Sequence, residues 1–178
     1  MPADFFTDPT TDPRFAPAPP LRGERAVLEH YLRHFRLTFE AKLADLDAAQ
    51  LARRAVPPST LSLLGLLRHL GKVEHVWNVI MLQARPEPRL YGCDDVRDAD
   101  FDGAVADDAV VAQAWEVWRR EVAAAQEHLA TRGLDEVVDV RGEGTQVRDI
   151  LVHLIEEYAR HCGHADLLRE CVDGRVGQ

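Results

Sequence analysis

The residues best suited to chemistry lie in one short string, HLIEEYARHCGH at 153–164, where His153, Glu157, His161 and His164 are spaced i, i+4, i+8 and i+11. On a helix this spacing stacks their side chains on adjacent turns. Advancing about 100° per residue, the apolar Ile150, Leu151, Leu154, Tyr158, Cys162 and Ala165 share one direction. His161 then lies about 40° from the centre of that face, Glu157 about 75°, His164 about 95° and His153 about 115°. His161 is therefore expected inside, Glu157 at the edge and His153 outside. An imidazole and a carboxylate on successive turns can both reach a divalent ion between helices. An isolated Glu-x-x-x-His pair is also what a solvated or ion-paired surface looks like, so the distinction rests on a third ligand from another helix.

His69 is the candidate for that ligand. It falls about 70° from the apolar centre of its own helix, whereas His75 points nearly opposite and is expected in solvent. His30, His34 and His128 fall roughly 95° to 160° from their helices' apolar centres and are read as surface residues. A second motif competes for attention: Asp98, Asp100 and Asp102 followed by Gly103 match the opening of an EF-hand loop. The twelfth position is Ala109, however, where calcium needs a bidentate Glu. A solvated acidic loop is the expectation there. Cys93, Cys162 and Cys171 are odd in number and lack C-x-x-C spacing, which argues against a disulfide framework and against a cysteine zinc site. Cys162 reads as inert core packing, as do Trp77, Trp115 and Trp118.

These residues need long helices to hold them. Leu28, Tyr31, Leu32, Phe35, Phe39, Leu43 and Leu46 predict a helix over 24–46. After Pro57-Pro58, with Ser59 or Thr60 as cap, Leu63, Leu66, Leu70, Val73, Trp77 and Met81 predict a second, ended by Pro86 and Pro88. Val111, Trp115, Trp118, Val122 and Leu129 predict a third, closing near Gly133. The fourth is expected to be capped by Thr145 and to run to about Cys171, with Gly174 beyond. Residues 137–141 read as a short strand or an irregular turn. The stretch 84–107 is too long for a simple turn and fits a crossover between distant helix ends. The fold class is thus all-α, a four-helix bundle with a long crossover over 22–178, preceded by a Pro-rich extended arm over 1–21. Phe5, Phe6 and Phe15 are the candidate anchors of that arm.

The 178 residues carry a formal charge of -9, with arginines scattered among acids, which disfavours nucleic acid as a partner. No apolar run is long enough to span a bilayer, and the N-terminus is acidic and proline-rich, unlike a secretory signal. A cytoplasmic protein without a membrane partner is expected, and a homodimer is one assembly considered.

Two strings, SLLGLLRHLGKVEHVW at 62–77 and EEYARHCGHADLLRE at 156–170, resemble the DinB-like superfamily, in particular its actinobacterial branch, with similarity over about residues 24–174. The resemblance implies a four-helix bundle with a long crossover, and a metal held by one His on the second helix and two residues four apart on the last. It carries that triad onto His69, Glu157 and His161. The stretch His161-Cys-Gly-His164 matches a His-x-Gly-Gln string of the superfamily, with His164 in place of Gln. Glu157 stands where His is commoner, as it does in mycothiol-dependent maleylpyruvate isomerases of the group. The resemblance further implies a divalent ion, zinc first and nickel or iron as alternatives, with mycothiol as a cosubstrate. The expected function is a metal-dependent enzyme that uses a low-molecular-weight thiol, of transferase or isomerase type, acting on a small molecule. A metal-dependent hydrolase and a noncatalytic metal-binding stress-response protein are the alternatives.

Overall fold

Apolar residues recurring every three or four positions wind the chain into α1 at Glu24–Leu43, which stops short of the expected residue 46. A capping box between Asp47 and Gln50 begins a separate short helix there, α2 at Ala48–Ala52. The computed structural model describes residues 7–8, 10–17, 20–92 and 98–177. The expected anchors Phe5 and Phe6, and Cys93, lie outside the described residues. Ser62, in place of Ser59 or Thr60, caps α3 at Leu63–His75, its hydroxyl accepting from the Gly65 N–H at 3.1 Å. The helix then widens into a π-helical stretch, Val76–Leu82. A one-turn helix, α4 at Ala99–Asp102, lies within the long connection, and Asp107 caps α5 at Asp108–Thr131.

Residues 137–146 settle the choice between strand and turn as an antiparallel hairpin. Strand β1, Val137–Val140, pairs with β2, Glu143–Gln146, with Val140 opposite Glu143. Arg141 and Gly142 both take positive φ, 58° and 90°, as a two-residue turn of the mirror-image type requires. The last helix, α6, runs Val147–Asp173 and ends on a left-handed Gly174. Thr145 lies in β2 and does not cap it. The amides of Val147 and Arg148 donate instead to the carbonyls of Glu136 and Leu134, so the backbone just before the hairpin closes the helix end.

Cross-helix contacts fix the directions of the four long helices. Phe35 meets Cys162 and Lys42 meets Asp166, so α1 and α6 run parallel. His75 meets Glu121 and Gln83 meets His128, so α3 and α5 run parallel too. His69 meets His161 while Trp77 meets His153, which makes α3 and α6 antiparallel. Two parallel helices joined in sequence require a return along the bundle. The connection between α3 and α5 is that crossover, and α4 lies in its last third.

Of the thirteen residues of α3, only His69 and Lys72 are not buried. Trp118 lies in the core and Trp77 and Trp115 pack against it. Arg14 is an anchor of the arm that the sequence reading did not name. Phe15 is 47% exposed, whereas the Arg14 guanidinium is buried on Asp12 and reaches the Thr38 hydroxyl at 3.3 Å. No helix among the described residues is long and apolar enough to cross a membrane.

Candidate metal centre

The antiparallel pair α3 and α6 brings His69, Glu157 and His161 together, with one ligand-type atom from each lying within 4.8 Å of the others. His161 Nε2 stands 3.4 Å from Glu157 Oε2, and His69 Nε2 stands 4.0 Å from the same oxygen. The two imidazoles meet edge to face, with ring centroids 4.8 Å apart. Both nitrogens thus converge on one carboxylate oxygen at separations longer than an ordinary hydrogen bond.

The far side of each ring is already engaged. His69 Nδ1 donates to Asp100 Oδ2 at 2.8 Å, and because a carboxylate only accepts, the neutral ring carries its proton on Nδ1, with Nε2 the nitrogen that faces Glu157. His161 Nδ1 lies 3.2 Å from His164 Nδ1, a contact that likewise leaves Nε2 directed at Glu157. Glu157 Oε1 has His153 Nε2 at 3.4 Å, and the His153 ring leans on Trp77 at 4.3 Å. The neighbouring His161 and His69 imidazoles hold the Glu157 carboxyl well below the usual carboxylate range, overcoming its partial burial. For His69, burial works against the charged form, but Asp100 and Glu157 together raise its pKa above the ordinary value. Burial would likewise raise Asp100, and hydrogen bonds from His69 and Lys72 override it, leaving a pKa of about 2.

Two expectations are corrected. His75 is buried and does not point into solvent: its Nδ1 pairs with Glu121 Oε2 at 3.1 Å and its Nε2 with the Pro88 carbonyl at 3.1 Å. A helix buried nearly all round has no polar face for an apolar average to define. In the acidic run at 98–102, Asp98 and Asp102 are exposed as expected of a solvated segment, but Asp100 is not. Asp100 is 1% exposed and forms the outer support of His69. His153, as expected, lies outside the convergence of the three groups. His30, His34 and His128 are partly exposed. Cys162 is buried with its thiol pushed up to about 12 by desolvation, which fits inert packing.

No curated protein and no solved structure gives a significant match to the chain. A family model described as mycothiol S-transferase matches residues 27–174, a span that takes in α1 from Val27 onward, the other three long helices, the crossover and the three converging side chains. With that match covering most of its length, the chain belongs to the mycothiol S-transferase family.

Proposed function

We propose that the protein is a divalent-metal-dependent transferase that activates a low-molecular-weight thiol of the mycothiol type for attack on a small electrophile, with His69, Glu157 and His161 as metal ligands. The observation that carries this reading is the convergence of two imidazole nitrogens on one carboxylate oxygen, with each ring tied on its other side. Zinc ligands at roughly 2.0–2.1 Å in tetrahedral array stand about 3.4 Å apart. The His161–Glu157 separation of 3.4 Å matches, and the His69–Glu157 separation of 4.0 Å needs only a small inward movement. Two imidazoles and one carboxylate suit zinc, with nickel or iron as alternatives.

An ion held there supplies Lewis acidity that lowers the pKa of a thiol presented to it. The protein's own groups divide the remaining work. His69 and His161 offer Nε2 because Asp100 and His164 occupy Nδ1. Glu157 contributes a full negative charge at neutral pH. Phe101, stacked on the His69 ring at 5.0 Å, shields one face of it from water. The net reaction joins the thiol sulfur to the electrophilic carbon and releases a leaving group with the thiol proton. A reducing, cytoplasmic setting suits a thiol cosubstrate.

The test combines elemental analysis with turnover. Protein reconstituted with zinc should hold about one ion per chain, and should consume an electrophile in the presence of mycothiol but not in a thiol-free control. Turnover without thiol would favour a hydrolase, and stoichiometric metal with no turnover across a broad panel would favour a noncatalytic metal-binding protein.

A further inference from the structure

We propose that the turn at 98–103 is a positioning strap: Asp100 fixes the tautomer and orientation of the His69 ring and thereby sets how tightly the His69–Glu157–His161 cluster holds a divalent ion. This rests on the metal reading above and assigns a role to an acidic motif which that reading leaves unused.

The strap is built tightly onto α3. Arg68 Nε donates to the Asp100 carbonyl at 2.8 Å and Nη2 to the Ala99 carbonyl at 3.2 Å, so one buried guanidinium clasps both ends of the peptide unit that carries Asp100. Gly103 comes so near the same guanidinium that a Cβ there would stand 2.6 Å from Nη2, and a Cβ on Gly65 would stand 2.9 Å from the Phe101 ring. A larger residue at Gly65 would press on the Phe101 ring, and one at Gly103 would displace the end of the Arg68 guanidinium. Phe101 in turn lies flat against His69, with interplanar angle 26°. His69 is therefore gripped on its face by Phe101 and at Nδ1 by Asp100, both from the same short turn.

The way Asp100 is satisfied points to tuning in preference to stability. Its Oδ2 receives both His69 Nδ1 at 2.8 Å and Lys72 Nζ at 2.9 Å. Its Oδ1 is buried and has no hydrogen-bond partner among the described residues. A buried carboxylate with one oxygen left over is a poor way to hold a crossover in place, since an unmet acceptor costs stability. It is a good way to place negative charge behind an imidazole. A carboxylate accepting from the outer nitrogen of a metal-ligating His fixes the ring and raises the basicity of the ligand nitrogen, and loss of such a partner typically weakens metal binding about 10- to 100-fold. His69 and Lys72, the two residues of α3 that are not buried, both bind this one oxygen.

The experiment uses the full chain with uniformly 15N-labelled histidine. Long-range 1H–15N correlation reports which His69 nitrogen carries the proton in metal-free protein, and competition with a chromophoric chelator reports zinc affinity. In the wild type, at a pH where His69 is neutral, it should show the proton on Nδ1. Asp100→Ala should yield a mixture of tautomers and zinc affinity lower by about 10- to 100-fold. Asp100→Asn keeps an acceptor for Nδ1–H but removes the charge, so the tautomer should persist while affinity falls by a smaller factor. Zinc affinity within twofold of wild type in both variants overturns the proposal, as does an unchanged His69 tautomer in Asp100→Ala. If Asp100→Ala does not fold, Asp100→Asn bears the affinity test by itself. A wild type that binds no zinc removes the metal reading and this proposal's effect on affinity, whereas the tautomer measurement still reports separately whether Asp100 sets the His69 ring.

Discussion

Glu157 and Tyr158 are adjacent in the chain, yet they belong to polar clusters assembled in opposite ways. Tyr158 sits in the centre of the bundle, where its hydroxyl donates to Glu74 Oε1 at 2.7 Å and accepts from Trp118 Nε1 at 2.8 Å. Arg36 closes the set with two parallel bonds to the Glu74 carboxylate, Nε at 2.8 Å and Nη2 at 2.7 Å. One residue comes from each of α1, α3, α5 and α6, donors and acceptors alternate, and the Glu74 carboxylate is fully engaged. Around Glu157 the carboxylate instead meets two imidazole nitrogens, His161 Nε2 at 3.4 Å and His69 Nε2 at 4.0 Å, both longer than an ordinary hydrogen bond. Ring nitrogens gathered loosely on one carboxylate oxygen leave room for an ion, whereas alternating donors and acceptors at hydrogen-bond distance make a structural joint. The inward position at 158 joins the four long helices, and the edge position at 157 faces the histidine cluster.

The sharpest way to break this comparison is to unpair the joint. Glu74 is fully buried, so Glu74→Ala leaves the Arg36 guanidinium without its counter-charge and Tyr158 without its acceptor. Removing one partner of a buried ion pair costs about 3–5 kcal/mol, a large share of a domain's net stability. Urea unfolding should show a loss of that size, with the folded fraction still binding one zinc per chain. A loss below about 1 kcal/mol would mean that the network is not the joint described.

The ligand set should behave the other way, adding to the fold without creating it. Withdrawing an ion removes only the linkage contribution, about 3–4 kcal/mol when free metal stands at roughly 100 to 1,000 times its dissociation constant. Chelation should therefore lower the melting temperature and leave the helical circular dichroism signal largely intact. His161→Ala should lose the metal yet unfold like metal-free wild type. Collapse of the helical signal on chelation would make the ion structural and erase the contrast with the Arg36–Glu74 joint. Unchanged metal content in His161→Ala would remove that residue from the ligand set.

The helices and the inward face of α6 were legible because period and burial coincide there: Ile150, Leu151, Leu154, Tyr158 and Cys162 point one way and are buried. The same wheel failed at His75. Helix α3 packs against α5 and α6 and is buried on nearly every side, and just after His75 it widens into a π-helical stretch that no constant angle per residue describes. The outer support of His69 could not be read from local pattern at all. His69 and Asp100 are 31 positions apart, and only the crossover brings them to 2.8 Å. The Arg36–Glu74–Tyr158–Trp118 joint escaped for the same reason, since each helix contributes a single polar residue to a face that otherwise reads as apolar or neutral.

The smallest expected effects separate the two outlying histidines, which the sequence placed alike on the outside of their helices. His75 is part of the fold's polar packing, so His75→Ala leaves buried Glu121 short of a partner. It should cost about 1–3 kcal/mol with metal content unchanged. His153 is different. Its side chain is 35% exposed, it leans on Trp77, and its Nε2 is 3.4 Å from Glu157 Oε1, the oxygen facing away from His69 and His161. His153→Ala therefore removes one aromatic contact, worth about 0.5–1.5 kcal/mol at most, and a weak restraint on Glu157. Metal stoichiometry by elemental analysis should stay at one per chain, with zinc affinity changed by no more than about threefold, because the proposed ligand oxygen is Oε2 and both imidazoles are held from behind by Asp100 and His164. Loss of stoichiometric metal in this variant would place His153 within the ligand set and show that Glu157 turns its other oxygen to the ion.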